Sequence, residues 1–157
     1  MSTSSGIPDY RSGSNTILPT GPGKWELEQN KAKYIASNGK PQVIHALNAF
    51  PSYSHMAISK LYTSGIIKFI VTQNVDNLHH MSGVPRKAIC ELHGNIIAEK
   101  CAKCKKIHYR DFYTRLPHLK WGDPHDTRRI CIKSGCGGSL QDTLVFFGES
   151  VEAEIKQ

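Results

Sequence analysis

A chain of 157 residues, 39% hydrophobic and 21% charged, can bury one ordinary core, which excludes disorder throughout. No apolar run reaches the ~20 residues of a spanning helix, and Met1-Ser-Thr-Ser-Ser-Gly6 lacks the basic and apolar regions of a signal peptide, so the sequence reads as intracellular and without a membrane partner. The net charge is +7 and its excess is local: residues 100–133 hold ten Lys or Arg against three acids, while the rest of the chain holds ten of each.

Gly6-Ile-Pro-Asp-Tyr-Arg-Ser-Gly13 opens the chain as a shaped loop, with glycine at both ends and an internal proline. From Ser14 to Pro51 the pattern is broken by Pro19, Gly21, Pro22, Gly23, Gly39 and Pro41, leaving room for short helices over Trp25–Tyr34 and Val43–Phe50 in an otherwise open loop. Ser52 or Ser54 is predicted to cap a helix ending near Thr63 and Gly65, with Met56, Leu61 and Tyr62 facing the core. Ile66, Ile67, Phe69, Ile70 and Val71 then form a β-branched run suited to a strand buried on both faces of a parallel sheet. At its carboxyl end the run turns polar, through Thr72, Gln73, Asn74 and Asp76, where open α/β sheets place their ligands. His79 and His80 read as exposed loop, and a second apolar stretch, Ile89–Leu92, ends in another polar tip, His93-Gly94.

Asn95–Lys100 is predicted to be a strand leading into two cysteine pairs, Cys101-Ala-Lys-Cys104 and Cys131-Ile-Lys-Ser-Gly-Cys136, with 26 residues between them. Two such knuckles, turned by Gly135, Gly137 and Gly138, bring four thiolates to one tetrahedral ion and close a structural zinc site with no open position. The fifth cysteine, Cys90, sits in an apolar stretch and reads as a small buried thiol. Between the knuckles a strand is expected at His108–Arg110 and a helical turn at Asp111–Arg115, and after them Leu144–Glu149 reads as a further strand with a polar tip. Lys100, Lys103, Lys105, Lys106, Arg110, Arg115, Arg128, Arg129 and Lys133 make this segment a candidate chromatin or nucleic-acid surface, or equally a solvated face that favours bound thiolates.

Five of these motifs, in order, resemble the sirtuins, the Sir2 family of NAD-dependent protein deacylases. The loop matches GIPDFR with Tyr10 for Phe; Thr72-Gln73-Asn74-Val75-Asp76 and His93-Gly94 match the TQN-x-D and HG motifs; the cysteine pairs match the zinc module; and Val145-Phe-Phe-Gly-Glu149 resembles VxFGE. Asn77 stands where the family has glycine, and Asn is among the residues that best tolerate positive φ. Details such as Ser82-Gly-Val-Pro-Arg86 lean towards the branch of sirtuins six and seven.

The resemblance implies an α/β fold, a partial Rossmann-like parallel sheet with an inserted small zinc-ribbon module: residues 1–94 as the NAD and catalytic region, 95–143 as the zinc module, and 144–157 as the strand returning to the first. The family's Gly-Ala-Gly strand before the first loop and its later GTS and Asn segments are not found, so a chain shortened at both ends is expected. The implied reaction removes an acyl group from lysine and consumes NAD, releasing nicotinamide and O-acetyl-ADP-ribose. His93 would be the base that takes a proton from a ribose hydroxyl, since imidazole titrates near neutral pH. Ile7, Pro8, Asp9, Tyr10, Arg11, Gln73, Asn74 and Asp76 would hold NAD, and Val145 and Phe147, with Tyr10, would receive the acyl-lysine. One structural Zn2+ would sit on Cys101, Cys104, Cys131 and Cys136. Acetylated lysine on proteins, histones among them, is the implied partner, and the nucleus, otherwise the cytoplasm, the implied location. Two alternatives share these residues: a catalytically silent zinc-stabilised chromatin or nucleic-acid binding module, and an ADP-ribosyltransferase differing in its acceptor.

Overall fold

The structure is a computed structural model that describes residues 1–13, 15–27, 29–30, 35, 43–120 and 122–151. Its elements are helix α1 (Tyr53–Thr63), strand β1 (Ile70–Thr72), helix α2 (Leu78–Met81), strand β2 (Ile89–Glu91), and strands β3 (Ala98–Cys101), β4 (Ile107–Tyr109), β5 (Asp126–Ile130) and β6 (Ser139–Asp142), with 3-10 turns at Ser2–Ser5, Ala46–Asn48 and Arg86–Ala88. No described helix is long and apolar enough to cross a membrane.

β1 and β2 pair in parallel, with Ile70 opposite Ile89 and Thr72 opposite Glu91. Helix α1 starts at Ser52, whose backbone N–H donates to Nδ1 of His55 at 3.1 Å, a capping box with histidine in the usual glutamate place. It ends at Thr63, with Ser64 as its C-cap and Gly65 following at φ +74. Ile70, Val84 and Ala88 form the core here, with Ile58, Tyr62, Ile67 and Ile89 packed against it.

Two expectations change at this sheet. Met56 and Leu61 are exposed and the helix buries His55 and Ser59 instead, because the polar capping pair turns that face inward. The expected strand over 66–71 is formed only at its end, and Ile66, Phe69 and Val71 are exposed while Ile67 and Ile70 pack inward. Only one face of β1 is covered among the described residues.

The second sheet is antiparallel with order β4-β3-β6-β5. Its first strand begins at Ala98 rather than Asn95, because Asn95 turns its side-chain oxygen onto the N–H of Ile97 at 3.0 Å. Arg128 bulges β5 at φ +58. Residues 111–115 form bends and no helical turn, and residues 144–149 form no strand. The Val145 N–H nevertheless donates to the His93 carbonyl at 3.1 Å. Of the expected helix over 25–34, residues 25–27 and 29–30 are helical and 28 and 31–34 lie outside the described residues; the one at 43–50 is a single 3-10 turn.

Candidate active site and metal centre

The parallel register sets the two polar tips side by side. The Leu92 N–H continues the ladder onto the Thr72 carbonyl at 2.9 Å, so Gln73 and His93 leave adjacent strand ends. Beyond Thr72 the chain is organised by its own side chains: the Thr72 hydroxyl accepts the Asn74 N–H at 3.0 Å, and Asp76 Oδ1 accepts the Leu78 N–H at 3.0 Å, starting α2. The N-terminal turn docks here. Ser2 Oγ donates to Asp76 Oδ2 at 2.5 Å and accepts from Asn74 Nδ2 at 3.1 Å. One hydroxyl therefore fixes both groups expected to face a ribose and a carboxamide. Asp76 is buried, Asn74 and His93 are half-buried, and Gln73 is exposed.

Asn77 adopts φ +67, so the turn that glycine would make survives. Its side-chain oxygen accepts from Arg86 Nη1 and Asn95 Nδ2, both at 3.1 Å. Asn95 in turn donates to Glu91 at 2.6 Å, and burial pushes the Glu91 carboxyl above its ordinary range. His79 is buried in α2, correcting the expectation of an exposed loop, and its ring lies edge-on to His55 at 5.0 Å. Burial lowers both imidazoles, which are therefore neutral at neutral pH.

The 6–13 loop is held by a second segment. The N–H groups of Gly23, Lys24 and Trp25 donate to the carbonyls of Ser12, Asp9 and Tyr10 at 2.7, 2.8 and 3.1 Å. A Cβ on Gly23 would stand 2.5 Å from the Arg11 nitrogen, so only glycine permits this approach. Asp9 is turned onto Ser12, accepting both its N–H and its hydroxyl. Tyr10 packs on Phe147 at 5.4 Å, and the Arg11 guanidinium lies 5.7 Å from the Phe147 ring and 6.0 Å from Trp25. Tyr10 and Phe147, expected to share an acyl-lysine channel, are thus neighbours.

Two cavities open nearby, one at the N-terminal turn and one beside Asp76. One of about 550 Å³ is lined by Thr3, Ser4, Gly6, Pro19, Thr20, Val43 and Ile44, and the Thr20 hydroxyl is buried there without a protein partner among the described residues. The other, about 270 Å³, has Asp76, Asn77 and Arg110 in its wall. The first wall offers the hydroxyls of Thr3, Ser4 and Thr20 and the second the carboxylates of Asp76 and Asp111 beside Arg110, groups that suit the hydroxyls of a sugar. Of the residues expected to hold NAD, only Asp76 appears in either wall. Ser2, Thr3 and Thr20 were not among them. Ser2 and Thr3 carried a signal in their hydroxyl-rich run before the loop; Thr20 carried none.

The four cysteines converge: their sulfurs all lie within 4.8 Å of one another. Cys101 and Cys136 are 3.6 Å apart and Cys104 and Cys131 3.8 Å, against about 3.8 Å for the edge of a tetrahedron with Zn–S near 2.3 Å. A Cβ on Gly138 would stand 2.8 Å from Cys101 Sγ, so the second knuckle closes over the first only because that residue is glycine. The Cys104 backbone N–H lowers the Cys101 thiol to about 6, while burial and the neighbouring sulfurs raise Cys131 against the pull of the Lys133 N–H. Such a split arises where thiolate charges crowd together, and a divalent ion relieves it. His108 Nε2, at 3.3 Å from Cys131 Sγ, is the outer partner of that sulfur.

The basic segment is less free than its composition implies. Arg110 and Arg129 converge on buried Glu99, and Arg115 pairs with buried Asp142.

The Sir2 family model matches residues 1–157. The chain belongs to the Sir2 family. The rice NAD-dependent protein deacetylase SRT1 is 40% identical over 155 residues, covering 98% of this chain and 28% of the rice protein. Human NAD-dependent protein deacetylase sirtuin-7 is 37% identical over 153 residues, 95% of this chain and 33% of the human protein. This Sir2 chain therefore spans about a third of the length of those relatives. Among solved structures, a Sir2 with p53 peptide and NAD+ superposes with TM-score 0.55 at 26% identity, covering 99% of this chain and 59% of that one. A Sir2 bound to acetylated peptide gives 0.53 at 25% identity, with 99% and 58% covered. The Rossmann-like Sir2 fold, its parallel strands and the zinc-suited cysteine cluster agree with the sequence expectation.

Proposed function

We propose that this Sir2 chain carries the catalytic centre of an NAD-dependent protein-lysine deacetylase. The observation that carries the reading is the pair of parallel strand ends, with Asn74 and Asp76 tied together by Ser2 on one and His93 on the other. When bound, NAD supplies a ribose carbon whose nicotinamide leaves as the acyl oxygen of the substrate attacks. Asp76 Oδ2 and Asn74 Nδ2, exchanging Ser2 for ligand, supply an acceptor and a donor for the carboxamide and a ribose hydroxyl. His93 accepts a ribose hydroxyl proton through its imidazole. The exposed Phe147, packed on Tyr10, offers an apolar wall for a neutral acyl-lysine, and the 145–147 backbone offers an edge for an extended peptide.

The zinc ion would be structural, since all four positions are sulfur. Any histone or nucleic-acid contact would fall to the basic residues of the segment other than Arg110, Arg115 and Arg129, Lys105, Lys106, Arg128 and Lys133 among them, because those three arginines are committed to Glu99 and Asp142. The test is incubation of the purified chain with NAD and an acetyllysine peptide, following nicotinamide and O-acetyl-ADP-ribose. His93→Ala should lower turnover by about 10²–10⁴, the usual worth of a general base. Equal product from both forms would remove His93 from the chemistry, and transfer of ADP-ribose to protein with no deacetylated peptide would replace the reaction by ADP-ribosylation.

A further inference from the structure

Outside the strand tips, charged groups converge where the chain leaves the antiparallel sheet. His125, just before β5, sets Nδ1 2.9 Å from Asp142 Oδ1 on β6 and Nε2 3.0 Å from Glu149 Oε1. Each ring nitrogen thus faces a carboxylate. Only the doubly protonated imidazole donates at both, and a neutral ring must leave one nitrogen lone pair against a carboxylate.

The two ends of this bridge are built differently. Asp142 is buried in the sheet and its second oxygen is held by Arg115 Nη1 at 2.9 Å. Glu149 belongs to the returning segment: its Oε2 accepts the Phe146 N–H at 2.7 Å, and its own N–H donates to the Phe146 carbonyl at 3.1 Å, closing a turn in which Gly148 takes φ +88. The ring of Phe146 stacks on His125, with centroids 5.6 Å apart and planes 16° from parallel, and the Arg115 guanidinium lies 4.6 Å from its centroid. Val145 and Phe147 flank Phe146 in the same stretch.

We propose that His125 is a proton-controlled latch, a positioning residue that pins the 145–149 segment to the antiparallel sheet and thereby holds the peptide-docking edge in place. Its bearing on substrate rests on the reading that Val145 and Phe147 receive the peptide.

The groups facing the imidazole are Asp142 from β6 and Glu149 from the returning segment, with the Arg115 guanidinium behind Asp142. Burial disfavours the cation, and the two carboxylates outweigh it, raising the imidazole above its ordinary value. A group whose folded pKa is raised contributes fully below its unfolded pKa and loses the contribution as pH rises through the folded value. The latch is closed in mild acid and opens towards alkaline pH. Arg115 keeps Asp142 satisfied throughout, so the end that releases is Glu149.

Amide hydrogen exchange of the chain, read as protection factors from about pH 5.5 to about 8.5, tests this directly. The 145–149 amides should lose protection by on the order of fivefold as pH rises, relative to β3, the size of one partly exposed ion pair. The dependence should vanish in His125→Gln and, independently, in Glu149→Gln, which leaves the Asp142–Arg115 pair intact. A profile in the wild-type chain indistinguishable from both variants overturns the latch. Acetyllysine-peptide affinity measured on the same samples should weaken in parallel with protection. If protection follows His125 and affinity does not, the latch stands and the assignment of the peptide to Val145 and Phe147 falls.

Discussion

Glu99 is where the antiparallel sheet is most exposed to a single change. Its carboxylate has no solvent access, accepts from Arg110 Nε at 2.8 Å on one oxygen and is paired with Arg129 on the other, and Arg129 continues to the Thr114 carbonyl. Glu99→Gln keeps the shape and removes the charge, leaving two guanidiniums against one neutral amide that itself carries donors. Each charge-assisted bond is worth about 1.5–3 kcal/mol. The arginine side chains keep 20% and 28% of their exposure, so water replaces part of the loss, and the net cost should be about 3 kcal/mol. At about 2–4 °C per kcal/mol for a chain of this size, Tm should fall by about 6–12 °C. Thermal unfolding followed by circular dichroism reads this; a drop below about 2 °C would show that the cluster is compensated by solvent and contributes little. Acid supplies a second arm. Burial alone would raise the Glu99 carboxyl, but the two guanidiniums override it and hold it below its ordinary range. Its stabilisation is present above the unfolded pKa of about 4.3 and is lost as pH falls through the lower folded one, so wild type and variant should converge in acid below that ordinary glutamate value.

Gly94→Ala should be among the most damaging small changes, because at φ +76 its Cβ would stand 1.8 Å from the Thr143 carbonyl oxygen; we expect a loss of at least about 2 kcal/mol in denaturant unfolding, and an unchanged midpoint would refute the close approach. Asn77→Ala should cost about 1–2 kcal/mol by combining positive φ with loss of the Arg86 and Asn95 contacts, and Asn77→Gly less, since it removes only the contacts; equal midpoints for the two would deny any backbone contribution. Elemental analysis should find one zinc per chain, and Cys131→Ser should abolish it. Chelation should then raise amide exchange throughout β3 to β6, whereas retained protection would mean that the sheet stands without its metal.

How far the residues disclosed this arrangement depended on the range of the cause. The zinc knuckles were legible because ligand spacing is a local constraint, and the glycines that close them are local too. The strand tips were legible because an apolar run ending in amides and acids is a local pattern. Met56 and Leu61 misled because the inward face of α1 is set by the His55 cap and by His79 beneath it, a contact between separate elements that apolar periodicity does not encode. Leu144–Glu149 misled for a related reason: its two phenylalanines pack on Tyr10, Arg11, His125 and Arg115. The basic segment could be read as a surface or as a solvated face because counting charges cannot show that Glu99 and Asp142, on either side of it, engage three of its arginines from inside.

One seam that joins the metal site to the strand tips runs through Asn95 and Thr143. The chain leaves the parallel strands at Gly94-Asn95 and comes back at Thr143. There the Asn95 N–H donates to the Thr143 hydroxyl at 3.0 Å, which donates in turn to the Asn95 carbonyl at 3.2 Å. Two residues earlier on one side and two later on the other, the His93 carbonyl takes the Val145 N–H. The position of His93 relative to Val145 is therefore fixed by the spacing of β3 and β6, which those two strands hold through the Lys100–Gln141 and Cys101–Leu140 pairings. Cys101 is itself the last residue of β3, and Leu140 is packed among the thiols. A metal ion held by the four thiols would therefore bear on the spacing of His93 and Val145 through strand register, and loosening the knuckles should be felt at the hydrogen bond between them.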